Sequence, residues 1–267
     1  MTAETGVGIA AGGVAEPFAG LTGRGVRIAI IDSGVHPDHP HIDAARLAGG
    51  VTVAKDGTVA PPEEDEGGVP LDRLGHGTAV TAAIQEKAPD AHCLSVRVFH
   101  DSLKTTAAAL IAAIDWCVDQ RVDLINLSLG STNSAHRDGF ARAVERARAA
   151  GALLIAAREA NDIACYPGAL PQVVGVGLDW ECPRECYRVE AVGESTVFVA
   201  SGYPRPIPGV PLRRNLYGIS FAAAQMTGFA ARVCGHLGTQ SAGAGRCDAL
   251  RALLAGEGLA GARASGD

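Results

Sequence analysis

Short apolar runs alternate along the chain with longer stretches in which apolar residues recur every three or four positions. The short runs have the length of buried strands and cover residues 26–31, 93–98, 122–127, 152–156 and 173–177. The longer stretches predict helices over residues 76–86, 103–120, 137–150 and 220–237. This alternation predicts an α/β fold of three α/β/α layers, in which helices cover both faces of a mostly parallel central sheet.

Two polar residues stand directly after predicted strands. Asp32 follows the run 26–31, and Ser128 follows the run 122–127. In open parallel sheets, functional groups gather beyond the carboxyl ends of the strands. We therefore expect a site at this edge of the sheet.

Composition and charge narrow the class of protein. The chain has 267 residues, and 47% of them are hydrophobic, which suits one large α/β domain. A net charge of −6 without a basic cluster argues against a nucleic-acid partner. No apolar run is long enough for a membrane span. We predict an N-terminal segment over residues 1–23, one domain over 24–256 and a disordered tail over 257–267.

Three short motifs each carry one residue that can take part in nucleophilic catalysis. Ile-Ile-Asp-Ser-Gly contains Asp32, Gly-His-Gly-Thr-Ala-Val contains His76, and Gly-Ile-Ser-Phe-Ala contains Ser220. Alone, each has an ordinary alternative: an aspartate capping a turn, a surface histidine or an N-cap serine. Together, an acid, a base and a hydroxyl at the ends of elements predict a catalytic triad.

With these motifs in this order, the chain resembles the subtilisin-like serine proteases (subtilases, peptidase S8) over about residues 24–255. The resemblance implies the subtilisin-like α/β/α fold and a serine endopeptidase that hydrolyses peptide bonds. Asp32 would orient His76, His76 would act as the general base, and Ser220 would be the nucleophile.

The resemblance also implies where a substrate binds. Ser128, Leu129 and Gly130 match the family's Ser-Leu-Gly edge, which in relatives pairs with an extended substrate and forms one wall of the primary specificity pocket. Val96, Arg97 and Val98 belong to the strand that leads to the other side of the cleft, and Cys165 lies where relatives have the bottom of the pocket. The alternative for these segments is ordinary strand and turn.

The acidic run 63–66 precedes His76 and is interpreted as a solvated loop. Contact with a basic segment of the substrate is the alternative.

The segment that should supply the oxyanion hole departs from the family. Relatives have Ala-Ala-Gly-Asn, whereas this chain has Ala-Ala-Arg-Glu-Ala-Asn over residues 156–161. Direct alignment puts Glu159 at the donor position; Asn161 or Arg158 could donate instead. Ile219 also replaces the threonine that relatives have before the serine. Loss of one such donor costs about 10²–10³ in rate, a magnitude that comes from subtilisin itself.

We expect no metal and no cofactor. The chain runs from the predicted helix at His76 straight into the next strand, without the calcium-binding loop that relatives insert there, and His41 stands where relatives have an aspartate ligand. His36 and His39 are close to His41 in sequence and leave a metal site as a minor alternative. Cys182 and Cys186 could form a disulfide or half of a metal site.

The remaining features suggest a cellular role. The first residues lack the positive charge of a secretory signal, few residues precede the first strand, and seven cysteines are an odd number for disulfides. We therefore expect a cytoplasmic processing protease of narrow specificity, such as one that removes the leader from a ribosomally made peptide. Its partner would be a peptide or protein substrate, with no nucleic acid and no membrane; the oligomeric state is open.

Two other functions remain. Glu159 and Ile219 favour a pseudoprotease that binds an extended peptide without cleaving it. A peptide ligase or macrocyclase would keep the acyl-enzyme but transfer it to an amine.

Overall fold

A nine-stranded sheet forms the middle of the computed structural model, which describes residues 18, 20–193, 195–237 and 242–256. The sheet order is β10-β11-β9-β6-β5-β1-β4-β2-β3, and a separate hairpin pairs β7 with β8. The strands are β1 (Arg27–Asp32), β2 (Leu47–Val53), β3 (Val59–Ala60), β4 (His92–Arg97), β5 (Leu124–Leu127), β6 (Leu153–Ala157), β7 (Glu159–Ala160), β8 (Ile163–Ala164), β9 (Val174–Leu178), β10 (Tyr187–Val192) and β11 (Ser195–Ala200).

Neighbouring strands from β11 to β2 pair in parallel, and the two outer strands, β10 and β3, are antiparallel. The helices are α1 (His76–Lys87), α2 (Ala107–Asp119), α3 (Arg137–Ala149), α4 (Ile219–Leu237) and α5 (Gly243–Leu254). The predicted mostly parallel α/β/α fold is confirmed.

Successive side chains of β1 point to opposite faces of the sheet and into the two helical layers that cover it. Ile28 and Ile30 point into a core shared with α1, α4 and α5, whereas Ala29 and Ile31 point into a second core shared with α2 and α3. All four side chains are buried, which is why the strand reads as one continuous apolar run rather than as an alternating pattern.

A buried polar link holds α4 against β5. Thr227 Oγ1 on α4 lies 2.9 Å from Asn126 Oδ1 on β5, and Asn126 Nδ2 donates to Ser128 Oγ at 3.1 Å. Asn126 is fully buried. Because an unpaired buried amide is costly, this link fixes the helix that carries Ser220 relative to the end of the strand that leads to Ser128.

The predicted domain boundaries stay predictions. Residues 1–17 and 19 of the N-terminal segment, and the whole predicted tail 257–267, lie outside the described residues. None of the helices in the described part of the chain combines the length and the apolar character that a bilayer span requires.

Candidate active site

The three motif residues each sit at the end of an element. Asp32 is the last residue of β1, His76 the first residue of α1, and Ser220 the second residue of α4. Gly77 explains how α1 approaches β1 so closely: a Cβ added at this position would lie 2.2 Å from the carbonyl oxygen of Gly34. Only glycine fits there, and this contact brings the start of α1 against the turn that follows Asp32.

Hydrogen bonds join the three side chains into a continuous chain. Asp32 Oδ1 lies 2.7 Å from His76 Nδ1, and His76 Nε2 lies 2.9 Å from Ser220 Oγ. The backbone N–H of Ser33 donates to the same oxygen of Asp32 at 2.8 Å. A carboxylate at Nδ1 keeps the proton on that nitrogen, so the lone pair on Nε2 faces the serine hydroxyl. The arrangement can therefore remove the proton from Ser220 Oγ as that oxygen attacks an electrophile.

Burial and nearby charges shift the pKa of His76 in opposite directions. The residue is only 7% exposed. Burial disfavours the imidazolium, but the charge of Asp32 and its hydrogen bond outweigh burial, and Asp72 adds a smaller attraction, so the pKa of His76 is raised above 6.5. The site thus stabilises the cation that forms when His76 accepts a proton.

This shift predicts the pH dependence of activity. Only neutral His76 can accept the serine proton, so kcat/KM should fall as the pH decreases through the raised pKa of His76, with a midpoint above 6.5. A profile of kcat/KM against pH measures this midpoint. Substituting asparagine for Asp72 should move the midpoint down, because a negative charge that favours the imidazolium is removed. A midpoint below 6.5 in the native chain would contradict this account of the site.

Asp72, which sequence reasoning did not single out, organises the segment around His76. Its two carboxylate oxygens accept five hydrogen bonds: from Ser33 Oγ, Leu74 N, Gly75 N, Thr78 N and Thr78 Oγ1, at 2.7–2.9 Å. Burial alone would raise the pKa of Asp72, but these hydrogen bonds outweigh it and lower the pKa. One carboxylate therefore connects the residue after Asp32 to both sides of His76.

Replacing Asp72 with asparagine should weaken both folding and catalysis. The amide cannot accept all five hydrogen bonds, and each buried donor left unsatisfied costs about 1–3 kcal/mol. We expect a decrease of about 2 kcal/mol in the free energy of unfolding, measured with urea, and a decrease in kcat of about 10- to 100-fold through displacement of His76. Asp138→Asn, at an exposed position on α3, is the matched control. Equal effects of the two substitutions would contradict the role given to Asp72.

The three candidate oxyanion donors lie on or beside the β7–β8 hairpin. Glu159 begins β7 and is exposed, and Arg158 is half-buried with its backbone N–H bonded to Val176 O. Asn161 and Asp162 form the tip of the hairpin, with φ values of +52° and +63°. Asparagine and aspartate favour this left-handed turn conformation, so the turn alone accounts for Asn161. The structure gives no contact between these side chains and the triad within the described residues.

Backbone N–H groups at the start of α4 offer another donor. Ser220 is the second residue of the helix, where N–H groups have no acceptor within the helix. The positive end of the helix dipole also lies here. An oxyanion beside Ser220 would meet this N–H group.

The predicted wall and bottom of the primary pocket come together. A Cβ added at Gly130 would lie 2.2 Å from the carbonyl oxygen of Tyr166 and 2.9 Å from Cys165 Sγ. Ser131 and Tyr166 exchange backbone hydrogen bonds of 2.8 Å. Ser128 is fully buried and Leu129 is half-buried. The segment 128–131 therefore packs directly on the segment that contains Cys165, whose thiol pKa is raised by burial.

Val96, Arg97 and Val98 are not brought to the surface of the cleft. Val96 and Val98 are fully buried, and Arg97 is 4% exposed. Arg97 instead forms an ion pair of 2.5 Å with buried Glu66, and Glu63 lies 3.6 Å from the same guanidinium. The acidic run 63–66 is thus tied to the sheet through two of its members rather than freely solvated. The side chains of Val96, Arg97 and Val98 therefore do not line the substrate site.

The described residues hold no group of three or more His, Cys, Asp or Glu side chains placed to bind a metal ion. All seven cysteines are free thiols, including Cys182 and Cys186, which the sequence left open as a disulfide.

The chain is similar in sequence to known proteins. A model of the subtilase family matches residues 23–196. The chain is 30% identical over 197 residues to the minor extracellular protease Epr of Bacillus subtilis (strain 168), which covers 69% of this chain and 28% of that protein. It is 29% identical over 171 residues to an intracellular serine protease of Paenibacillus polymyxa (58% and 50% covered) and 26% identical over 249 residues to subtilisin DY of Bacillus licheniformis (84% and 81%).

Two solved structures share the fold. A cold adapted subtilisin-like serine proteinase superposes with a TM-score of 0.60 at 19% identity, covering 86% of this chain and 82% of that one. A lanthipeptide protease superposes with a TM-score of 0.59 at 24% identity, covering 83% and 77%. Against the first three curated relatives, the chain spans only 28–50% of their length.

Proposed function

The chain belongs to the subtilase family, and we propose that it is a serine endopeptidase in which Asp32, His76 and Ser220 form the catalytic triad. The observation that carries the proposal is the unbroken path of hydrogen bonds, 2.7 Å from Asp32 to His76 and 2.9 Å from His76 to Ser220. Nucleophile, base and orienting acid are thereby in contact before a substrate arrives.

The reaction begins when Ser220 Oγ attacks the carbonyl carbon of the scissile amide and its proton moves to His76 Nε2. Asp32 stabilises the imidazolium that results. His76 then gives this proton to the leaving nitrogen, which breaks the C–N bond and leaves an ester on Ser220. A water molecule attacks the ester carbon while His76 accepts one of its protons. Return of that proton to Ser220 Oγ breaks the ester C–O bond and releases a carboxylic acid, which loses its remaining proton to solvent.

The negative oxygen of the tetrahedral intermediate is stabilised chiefly by the N–H group of Ser220 at the start of α4. A second donor would come from the segment at the end of β6, where Arg158 and Asn161 carry N–H groups. The carboxylate side chain of Glu159 carries no N–H group and would repel the oxyanion. A weakened second donor fits an enzyme that is slow on general substrates.

The substrate lies extended along Ser128, Leu129 and Gly130, with the side chain of its acyl residue directed toward Cys165. A cysteine beside Gly130 makes this pocket differ from the pattern of the relatives, which supports narrow specificity. We propose a processing role in the cytoplasm, for example removal of a leader from a ribosomally made peptide. Seven free thiols and no disulfide in the described part of the chain support a reducing compartment.

Glu159 and Ile219 favour one other function, peptide binding without cleavage. An acidic residue at the aligned donor position and the loss of the threonine hydroxyl both weaken stabilisation of the oxyanion. The contacts within the triad argue for the enzyme, because binding alone does not need His76 hydrogen-bonded to Ser220.

Mass spectrometry of peptides incubated in H₂¹⁸O separates the candidate functions. A mixed-sequence library and precursor peptides that carry a leader are the substrates, and Ser220→Ala is the control. Hydrolysis adds one ¹⁸O to each new C-terminus, whereas ligation joins fragments without label. Peptides that bind but remain intact with the native chain would reject the endopeptidase and support the pseudoprotease.

A further inference from the structure

The loop that leads to Ser220 is basic although the protein is acidic. Residues 195–247 contain no aspartate or glutamate, in a chain with a net charge of −6. The connection between β11 and α4 carries Arg205, Arg213 and Arg214. None of these arginines has a carboxylate within 4.0 Å among the described residues. An uncompensated positive surface therefore adjoins the proposed nucleophile.

A cavity of about 240 Å³ opens beside this loop. One wall is the segment after β1 that contains His36, His39 and His41; the opposite wall contains Arg205 and Leu216. Gly75, the neighbour of His76, also lines the cavity, so it lies directly beside the triad. No residue of the segments 128–131 and 165–166 takes part in the lining. It is therefore separate from the primary pocket proposed for the acyl side of the substrate.

The lining favours a hydrogen-bond acceptor with negative charge. Arg205 uses Nη1 to bind the carbonyl oxygen of His41 at 3.2 Å, which fixes the guanidinium without neutralising it. The backbone N–H of His41 donates to His39 Nδ1 at 3.2 Å, so neutral His39 carries its proton on Nε2 as a further donor. Burial, and then the charge of Arg205, lower the pKa of His41.

Two acids are close to this cavity but are already engaged. Asp72 faces it, and both of its oxygens accept hydrogen bonds from the turn around His76. Glu86 on α1 forms an ion pair with Arg184, and its negative charge partly offsets the lowering of the pKa of His41. Neither acid lies within ion-pair distance of Arg205 in the described residues. Ala79, Ala82 and Leu216 supply an apolar lining that suits an aliphatic stem.

We propose that this cavity binds an acidic side chain of the peptide substrate, on the leaving-group side of the cleaved bond, with Arg205 as its ionic partner. The proposal rests on the proposed endopeptidase function for the direction of the peptide. Glutamate fits better than aspartate because its longer stem can cover the apolar lining while the carboxylate reaches Arg205. Arg205 is thus a residue that determines specificity.

Reversing the charge of residue 205 and of one substrate position tests whether Arg205 is the ionic partner of an acidic side chain. Starting from a peptide that the native chain cleaves, glutamate, glutamine and lysine are placed in turn at each position after the cleaved bond. At one position, kcat/KM should fall about 10-fold from glutamate to glutamine and further to lysine. Arg205→Glu should reverse this order and Arg205→Gln should flatten it, whereas Arg142→Glu, at an exposed position on α3, should leave it unchanged.

The outcomes separate this inference from the endopeptidase proposal. Unchanged preference in a folded Arg205→Glu enzyme, or no preference for glutamate in the native chain, would overturn the acidic subsite while cleavage itself persists. If the native chain cleaves nothing, the same peptides with a fluorescent label are bound to Ser220→Ala and followed by anisotropy. Tighter binding of the glutamate peptide that reverses in Ser220→Ala/Arg205→Glu would support the subsite; equal binding of all three peptides would reject it. Urea midpoints verify that both Arg205 variants fold.

Discussion

His76→Ala is expected to lower kcat for peptide hydrolysis about 10⁶-fold, as is Ser220→Ala, and the double variant should lose no more than either single one. In subtilisin, a relative by family, single losses of the serine or the histidine are of this size, because the residues act as a unit. Here the unit is visible as the 2.9 Å contact between His76 Nε2 and Ser220 Oγ. Without the imidazole, the hydroxyl keeps its proton and is a poor nucleophile at neutral pH.

His236→Ala is the matched control for this experiment. His236 is exposed in the last turn of α4, the helix that carries Ser220 in its first turn, and the two positions are about 24 Å apart along the helix. Its loss should leave kcat unchanged. A His76→Ala enzyme that keeps more than a hundredth of native kcat would show that another group removes the serine proton.

Asp32→Asn should lower kcat about 10⁴-fold with a smaller effect on KM. The amide lacks the negative charge that stabilises the imidazolium, and its NH₂ group can turn toward Nδ1 and place the proton on Nε2, the wrong tautomer for accepting the proton of Ser220. Asp32 is only 1% exposed, so water cannot take over its role. Steady-state kinetics above the pKa of His76 measure the loss.

A stability measurement distinguishes this electrostatic effect from misfolding. The asparagine side chain has nearly the same volume as aspartate, so it leaves no cavity in the packing around residue 32. The variant should therefore unfold at a urea concentration close to that of the native chain. A loss of kcat below 10-fold in a stable variant would contradict the role of Asp32 as the charged partner of His76.

The central strands and their helices could be predicted from sequence because they are buried on both faces. Each of the five predicted strands begins and ends within two residues of a strand in the structure. β2 was missed because it is glycine-rich: a Cβ added at Gly50 would lie 2.0 Å from Ser95 O, so close pairing with β4 replaces the usual strand residues. The sequence prediction also missed β10 and α5. β10 is an antiparallel strand at the edge of the sheet with mostly exposed residues of mixed polarity, and α5 begins without a side chain that caps it.

Local motifs predicted the triad residues, but some contacts around them join segments that are far apart in sequence. Neither the hydrogen bond from Ser33 Oγ to Asp72, which lies 39 residues later, nor the ion pair between Arg97 and Glu66, which are 31 residues apart, follows from spacing along the chain. The β7–β8 hairpin did carry a signal: Asn161 and Asp162 are the residue types that a tight hairpin turn requires. Reading them as a turn would have given Asn161 a structural role beside its candidate role as an oxyanion donor.

The most direct test of the central claim, that Ser220 is activated by His76, is intact-mass analysis after treatment with a fluorophosphonate. This reagent reacts covalently with activated serines and needs no knowledge of the substrate. The account predicts a single adduct on the native chain and none on Ser220→Ala or on His76→Ala. A folded native chain that forms no adduct, or an adduct that persists in either variant, would contradict it.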